Sequence, residues 1–231
     1  MGSIVTRLQE VKRRIAAASS AAGRDADSVT LLAVGKTQPV DALRDAHAAG
    51  QRDFGENYVQ EALAKIEALR DLRADLVWHL IGPLQSNKTR AVAEAFDWVH
   101  SVDRLKVAER LAVQRPPGMA PLQLCLQVNV SGEASKSGVS PAALPALARA
   151  VAALPADRVR LRGLMAIPAP ADGFEAQRAP HRRLRELLQA LRAEGLALDT
   201  LSMGMSDDLE AAIAEGATLV RVGGAIFGAR G

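Results

Sequence analysis

The sequence predicts an α/β fold, a (β/α)8 TIM barrel with an extra N-terminal helix. Eight short runs of β-branched and apolar residues alternate with longer segments of helical periodicity over 231 residues. In addition, Gly50, Gly195 and Gly216 each follow a helical segment, where C-terminal glycines belong. A doubly wound open sheet is the competing fold, but it rarely needs eight evenly spaced strands, and no GxGxxG motif follows the first strand. We therefore expect residues 1–231 to form one barrel domain.

The elements follow in chain order from periodicity and from helix-end signals. The first helix is predicted over 3–22, and the strand candidates are 29–35, 52–55, 76–81, 97–101, 122–130, 159–166, 199–203 and 218–222. The next helix starts at Pro39, because a proline in the first turn followed closely by Asp41 is typical of a helix N-terminus. Further helices are predicted over 57–72, 86–96, 103–114, 141–153, 174–194 and 206–215, and a short tail with 225–227 follows the last strand.

Composition and charge exclude several classes of protein. The formal net charge is only +3, because the many arginines are nearly balanced by acidic residues. Arginines at 182–185 lie at helical spacing among leucines, which favours a solvated helix face over nucleic-acid binding. The single cysteine, Cys125, excludes an internal disulfide and is expected to be a buried thiol. No apolar run approaches transmembrane length and no signal peptide is recognised, so we expect a cytoplasmic protein without membrane or nucleic-acid partners.

Lys36 is the first candidate functional residue, since it closes the apolar run 29–35. An ammonium at the end of a buried strand is costly to desolvate unless it is paired or loses its proton. A lysine without its proton is a free amine that attacks carbonyls to form Schiff bases. The chain contains only six lysines and otherwise uses arginine, which cannot form an imine. The alternative is that Lys36 extends from the strand end to pair with a carboxylate, and the local sequence leaves both open.

The loops after the seventh and eighth strands carry a second signal. Ser206 reads as the N-cap of the helix that follows, and Gly204 permits close approach to the backbone. Gly223 and Gly224 end the eighth strand before a short helical turn, so they present bare backbone N–H groups. Barrels of this type often bind phosphates between these two loops. The alternative is ordinary turn glycines, but the two loops together favour a phosphate site, with Asp207 and Asp208 assigned to capping and surface.

An imine-forming lysine and a phosphate site together predict a phosphorylated aldehyde or ketone. Pyridoxal 5′-phosphate (PLP) fits as a cofactor, and a sugar phosphate fits as a substrate. Arg221 lies in an apolar strand one residue before this cradle. If it faces the barrel mouth, it could donate a hydrogen bond to the pyridine nitrogen and so weaken the ring as an electron sink. The alternative is a surface ion pair.

Motifs in a fixed order along the chain match one known family. They are 33–37 (AVGKT), 54–58 (FGENY), 78–88 (WHLIGPLQSNK), 128–130 (VNV) with Glu133, Lys136 and Gly138, 163–165 (GLM), 202–206 (SMGMS), 220–223 (VRVG) and 225–228 (AIFG). Through these motifs the chain resembles the pyridoxal-phosphate homeostasis proteins. These look like the N-terminal barrel of alanine racemase, and the fold is similar to that of the fold-type III PLP proteins.

The resemblance implies a cofactor and a set of residues that bind it. PLP would form a Schiff base with Lys36. Its phosphate would be held by Ser206 and by the backbone of Gly223 and Gly224, and Arg221 would face its pyridine nitrogen. Asn57 and Met203 would lie in the pocket wall. The family often has a hydroxyl residue where this chain has Gly224, so we expect one phosphate contact to be missing. For His79, a place beneath the cofactor and a hydrogen bond in the core are both open.

Three functions are compatible with these residues. The first is a non-catalytic carrier that holds PLP, limits the free aldehyde, and releases PLP to apoenzymes; this is the function we expect, in a monomer. The second is an amino-acid racemase, which needs an acid and a base on opposite faces of the substrate carbanion. The resemblance to alanine racemase implies a second base, a tyrosine from a C-terminal β domain that we expect this chain to lack. The only tyrosine here, Tyr58, is expected to be a packing residue at a helix start, and a place in the pocket stays open as the alternative. The third is a Schiff-base aldolase acting on a sugar phosphate.

Overall fold

Eight parallel strands close into a barrel in chain order, and β8 pairs with β1. The computed structural model describes residues 2–132 and 137–228. The strands are β1 (Thr30–Val34), β2 (Asp53–Glu56), β3 (Val77–Leu80), β4 (Trp98–Val102), β5 (Leu122–Gln127), β6 (Val159–Met165), β7 (Thr200–Ser202) and β8 (Leu219–Val222). The predicted barrel and all eight predicted strands are confirmed. The largest boundary difference is in β5, which ends three residues before the predicted end at 130.

Nine α-helices surround or follow the strands among the described residues. They are α1 (Ile4–Ala21), α2 (Val40–Ala48), α3 (Val59–Ala68), α4 (Thr89–Ala95), α5 (Leu105–Gln114), α6 (Leu144–Ala152), α7 (Phe174–Ala193), α8 (Leu209–Ala214) and α9 (Gly224–Phe227). The predicted extra helix is α1, which packs against α8 and α9. Its N-terminus is capped by the Ser3 hydroxyl, which accepts a hydrogen bond from the Thr6 amide. None of the described helices is long and apolar enough to span a bilayer.

The main apolar core lies between the barrel and its helices, and a smaller apolar layer fills the barrel interior. The inner layer consists of Leu32, Val34, Ile81 and Leu219. Gly55 makes room for it, because a Cβ at this position would lie 2.9 Å from Leu32 Cδ2. Cys125 is fully buried as predicted, and burial raises the pKa of its thiol to about 12. The thiol is therefore a core group and not a reactive one.

Candidate functional site

Lys36 follows β1 by two residues, at the C-terminal end of the barrel. Gly35 faces outward, since a Cβ there would lie 2.7 Å from Glu56 Oε1 and 3.2 Å from Leu43 of α2. Lys36 lies in the turn that follows, since the Gln38 amide donates to the Gly35 carbonyl over 2.9 Å, and this turn is at the barrel mouth. It is half-buried, and its ammonium makes no hydrogen bond or ion pair with any residue in 2–132 or 137–228. The alternative in which Lys36 pairs with a carboxylate is therefore wrong for the described residues.

The turn that carries Lys36 is held on both sides by α3. Lys65 Nζ donates to the Gly35 carbonyl oxygen over 2.6 Å, and the Thr37 amide donates to Glu61 Oε1 over 2.6 Å. Lys65 also contacts Glu61 Oε1 at 2.5 Å and Glu56 Oε1 at 2.9 Å. Thr37 has φ 62°, the only positive φ of a non-glycine residue in the part of the chain that the structure describes. Strain of this kind persists where its surroundings enforce it, as they do here beside Lys36.

Glu56 is the most deeply buried member of this cluster. Its side chain has no solvent exposure, and Oε2 is buried without a hydrogen-bond partner among the described residues. Burial raises the pKa of the Glu56 carboxyl to about 7, although Lys65 acts in the opposite direction. A protonated and an ionised form of this carboxyl are therefore both accessible near neutral pH. Sequence reasoning missed the cluster; the only available signal was Lys65, one of the few lysines, on the inward side of a predicted helix.

The two glycine-bearing loops meet the end of β1. A Cβ at Gly223 would lie 3.1 Å from the Val34 carbonyl oxygen, so the loop after β8 lies directly against the start of the Lys36 turn. The loop after β7 joins the same region, because the Arg221 amide donates to the Gly204 carbonyl over 2.9 Å. Gly204 has φ +95°, and a Cβ there would lie 2.6 Å from Ala212 Cβ, so the loop packs closely against α8; its approach to a phosphate stays a prediction.

The residues predicted to bind or flank the phosphate differ in their geometry. Gly224 begins α9, in which the Ile226 and Phe227 amides donate to the Gly223 carbonyl while the Gly224 and Ala225 amides have no acceptor among the described residues; a Cβ on Gly224 would meet nothing within 4 Å. The prediction that Ser206 caps α8 is wrong, because that helix begins at Leu209 and Ser206 lies in the preceding turn. Asp208 holds this turn, since its Oδ1 accepts a hydrogen bond from the Met205 amide over 2.7 Å. Asp208 occupies the N-cap position of α8, but its side chain makes no capping hydrogen bond to that helix, so its predicted capping role is wrong.

Arg221 lies inside the barrel, and the alternative of a surface ion pair is wrong. Its side chain is 3% exposed, with Nη1 donating to Ser202 Oγ over 2.8 Å and Nη2 donating to the Ala166 carbonyl over 2.9 Å. Burial lowers the pKa of the guanidinium to about 10, so it stays charged at neutral pH. A guanidinium has five N–H donors, and these two bonds leave three without an acceptor among the described residues.

Arg221 is one end of a hydrogen-bonded series that we call the interior chain, consisting of Arg221, Ser202, His100, His79 and Asp53. Ser202 Oγ lies 2.7 Å from His100 Nδ1, and His100 Nε2 lies 2.9 Å from His79 Nδ1. His79 Nε2 then lies 3.1 Å from Asp53 Oδ1. His79 is therefore a hydrogen-bonded core histidine, one of its two predicted alternatives. His100 and Ser202 were missed, because the bond between them joins β4 to β7, two strands that are not adjacent.

The predicted wall residues differ in exposure. Met203 is fully buried directly after β7. Asn57 is half-buried, and its Oδ1 is buried without a partner within the described residues, so it can accept a hydrogen bond from a ligand. Gly82 permits the close approach of the next loop, because a Cβ there would lie 2.1 Å from the Asn57 carbonyl oxygen.

Tyr58 is 57% exposed, so its predicted packing role is wrong. Glu133 and Lys136, part of the family resemblance, lie outside the described residues.

These features fit PLP as judged from the protein atoms alone. The unpartnered Lys36 amine, the open space at Gly224 and the free donors of Arg221 lie at the C-terminal end of the same barrel. An aldehyde, a phosphate and a ring nitrogen are the three groups that an amine, a glycine-rich helix start and a donor can bind. Nothing in this arrangement conflicts with such a ligand.

Comparisons with known proteins give the same class. The family model described as the alanine racemase N-terminal domain matches residues 6–231. A protein of Pseudomonas aeruginosa named pyridoxal phosphate homeostasis protein is 64% identical over 230 residues, covering 100% of this chain and 97% of the relative. A protein of the same name from Escherichia coli K12 is 52% identical over 231 residues, covering 100% and 98%. The solved structure of PipY from Synechococcus elongatus PCC7942 with PLP bound has a TM-score of 0.83 at 42% identity, covering 98% of this chain and 100% of PipY.

The fold and the family match define a barrel of the alanine racemase N-terminal class. Within that class, the chain belongs to the family of the pyridoxal phosphate homeostasis proteins.

Proposed function

We propose that this protein binds PLP as a Schiff base of Lys36 and supports intracellular PLP homeostasis without turning over a substrate. The observation that carries the proposal is the Lys36 amine, which has no partner among the described residues and belongs to a turn that starts against the Gly223 loop. The printed name of the relatives and the PLP-bound structure of PipY support it. We extend the proposal to one PLP-binding domain over residues 1–231, acting as a cytoplasmic monomer that delivers PLP to apoenzymes.

The phosphate is proposed to bind between the loops after β7 and β8. The Gly224 and Ala225 amides at the start of α9 supply donors, and the backbone of Gly204 and the Ser206 turn lie on the other side. The Ser206 hydroxyl does not cap α8, so in this proposal it is available to bind the phosphate. Its carbonyl is fixed by Arg14 Nη2 at 2.9 Å, which holds the turn in place.

The ring end of the cofactor is proposed to face Arg221. A guanidinium that donates to the pyridine nitrogen keeps this nitrogen unprotonated, and the ring is then a weaker electron sink. Asn57 and Met203 form the proposed pocket wall, with the unsatisfied Asn57 Oδ1 available as an acceptor.

One feature supports a carrier in preference to a racemase. Racemisation needs two acid–base groups on opposite faces of the substrate, and the single tyrosine of the sequence, Tyr58, is 57% exposed at the start of α3.

Titration with PLP tests the proposal. The protein is expected to gain a visible absorption band on adding PLP, and Lys36→Ala should abolish it while the control Lys106→Ala, an exposed lysine on α5, retains it. Persistence of the band in Lys36→Ala would place the imine on another lysine. The same samples, incubated with L-alanine, should form no D-alanine; rapid racemisation would overturn the carrier role.

A further inference from the structure

The interior chain crosses the barrel from the C-terminal mouth to the N-terminal floor. Arg221 lies near the end of β8, whereas Asp53 is the first residue of β2. The side chains of Arg221, Ser202, His100 and His79 are at most 3% exposed, and that of Asp53 is 27% exposed. Each link is 2.7–3.1 Å long, so the five side chains form an unbroken series of hydrogen bonds.

The two ends of the interior chain fix the direction of its hydrogen bonds. A guanidinium can only donate and a carboxylate can only accept. If both histidines are neutral, His79 must carry its proton on Nε2 to meet Asp53, so its Nδ1 accepts from His100 Nε2. His100 Nδ1 is then bare and accepts the Ser202 hydroxyl proton, which leaves Ser202 Oγ to accept from Arg221.

The environment of His100 supports the neutral form. Its ring has no solvent exposure, and burial, with the nearby His79 and Arg221, holds the pKa of His100 well below its usual value. With both histidines neutral, one arrangement of protons satisfies all four bonds, and each group polarises the next toward Asp53. Arg221 itself has no carboxylate within salt-bridge distance among residues 2–132 and 137–228, so the interior chain is its link to one.

We infer that Asp53 is a positioning residue for Arg221, acting from the opposite face of the barrel through His79, His100 and Ser202. Asp53 fixes which nitrogen of each histidine carries the proton, and this arrangement holds Ser202 Oγ as an acceptor for Arg221. The inference rests on the proposed function only in the statement that Arg221 meets the cofactor ring. Without the Asp53 acceptor, the protons of His79 and His100 are no longer fixed on Nε2, and the Arg221 guanidinium can reorient.

The barrel floor offers a matched control. A cavity of about 320 Å³ at this face is lined by Asp53 and Asp199, together with Trp98 and Arg162. Asp199 is bound by Arg162, with Nη2 2.6 Å from Oδ2, and takes no part in the interior chain. Asp199→Ala therefore removes a carboxylate from the same cavity without touching the proposed path.

The first test uses the protein without PLP. Side-chain 1H–15N NMR spectra distinguish the two neutral forms of each histidine, and the chain has only 4 histidines. His47→Gln and His181→Gln identify the signals of these two histidines, so the remaining histidine signals belong to His79 and His100. Arg221→Lys identifies the Arg221 Nε signal. We expect both His79 and His100 to carry the proton on Nε2. Asp53→Ala should shift the His100 and Arg221 signals, Asp53→Asn should restore them because its amide oxygen still accepts, and Asp199→Ala should leave them unchanged.

The second test uses PLP. Asp53→Ala should raise the PLP dissociation constant about fivefold, the effect of losing one ordinary hydrogen bond, and should shift the absorption maximum of the bound cofactor. Asp53→Asn should recover most of the affinity. If Asp53→Ala does not fold, Asp53→Val, a residue well suited to a strand, replaces it.

Three outcomes decide the inference. Wild-type His100 and Arg221 signals in Asp53→Ala would overturn it, as would shifted signals with unchanged PLP affinity and spectrum. A wild-type protein that binds no PLP would instead overturn the proposed function, and the Arg221 signal alone would then decide the role of Asp53.

Discussion

Replacement of Glu56 by glutamine is expected to remove a pH dependence of stability that originates beneath the Lys36 turn. Glu56 is fully buried, and burial raises the pKa of its carboxyl from 4.5 to about 7. A carboxyl with a raised pKa in the folded state stabilises the fold when protonated. Its contribution is complete below pH 4.5, the pKa of the unfolded state, and is lost as the pH rises through about 7.

The magnitude follows from the two pKa values. At about 1.4 kcal/mol for each pH unit between them, the ionised Glu56 carboxylate costs the folded state roughly 3 kcal/mol above pH 7. Glu56→Gln cannot ionise, and its Oε1 still accepts from Lys65. The free energy of unfolding of the variant, relative to the wild type, should therefore rise by roughly this amount between pH 4.5 and pH 8.

Urea unfolding at a series of pH values measures this difference. The new amide lacks a partner at the position of Oε2, which changes the free energy of unfolding of the variant by the same amount at every pH. The test therefore uses only the change of the difference with pH. Glu67→Gln is the control, since this exposed glutamate lies on α3, the helix that carries Lys65. Parallel stability curves for Glu56→Gln and the wild type would refute the reasoning and show that Lys65 fully compensates the buried charge.

Two glycines give predictions of opposite kinds. Gly163→Ala should lower the free energy of unfolding by about 3 kcal/mol, because its Cβ would lie 1.8 Å from the Thr200 carbonyl oxygen of the next strand; thermal unfolding near the wild-type midpoint would contradict this. Gly224→Ser should leave stability within about 0.5 kcal/mol of the wild type, since nothing lies within 4 Å of its Cβ, and should tighten PLP binding by adding a hydroxyl. Ser206→Ala combined with Gly224→Asp should weaken PLP binding sharply, since a carboxylate repels the phosphate; equal affinities by titration would remove the phosphate from these loops.

Much of the barrel was predictable because each strand is a local signal. Buried parallel strands read as continuous apolar runs, and the positive φ values of Gly50, Gly195 and Gly216 agree with helix ends predicted from glycine alone. The position of Lys36 at a strand end and that of Gly204 in a tight loop were predictable for the same reason.

Features that depend on pairing between distant segments were not predictable. Glu56 and Lys65 meet because β2 and α3 fold against each other, and His100 reaches Ser202 across the barrel interior. The start of α8 was also misplaced, because a serine in this position is a good N-cap in local terms. Asp208 accepts from the Met205 amide within the loop and contacts His181 Nε2 of α7 at 2.9 Å, and these two bonds select a turn there instead.

The central claim is that Lys36 carries PLP, and chemical reduction tests it most directly. The PLP-loaded protein is treated with borohydride, which fixes an imine as a stable amine, and the modified peptides are mapped by mass spectrometry. We predict a single pyridoxyl group on Lys36 and a loss of the visible absorption band. A pyridoxyl group on Lys65 or Lys88 with Lys36 unmodified, or a protein that takes up no label after incubation with PLP, would contradict the account.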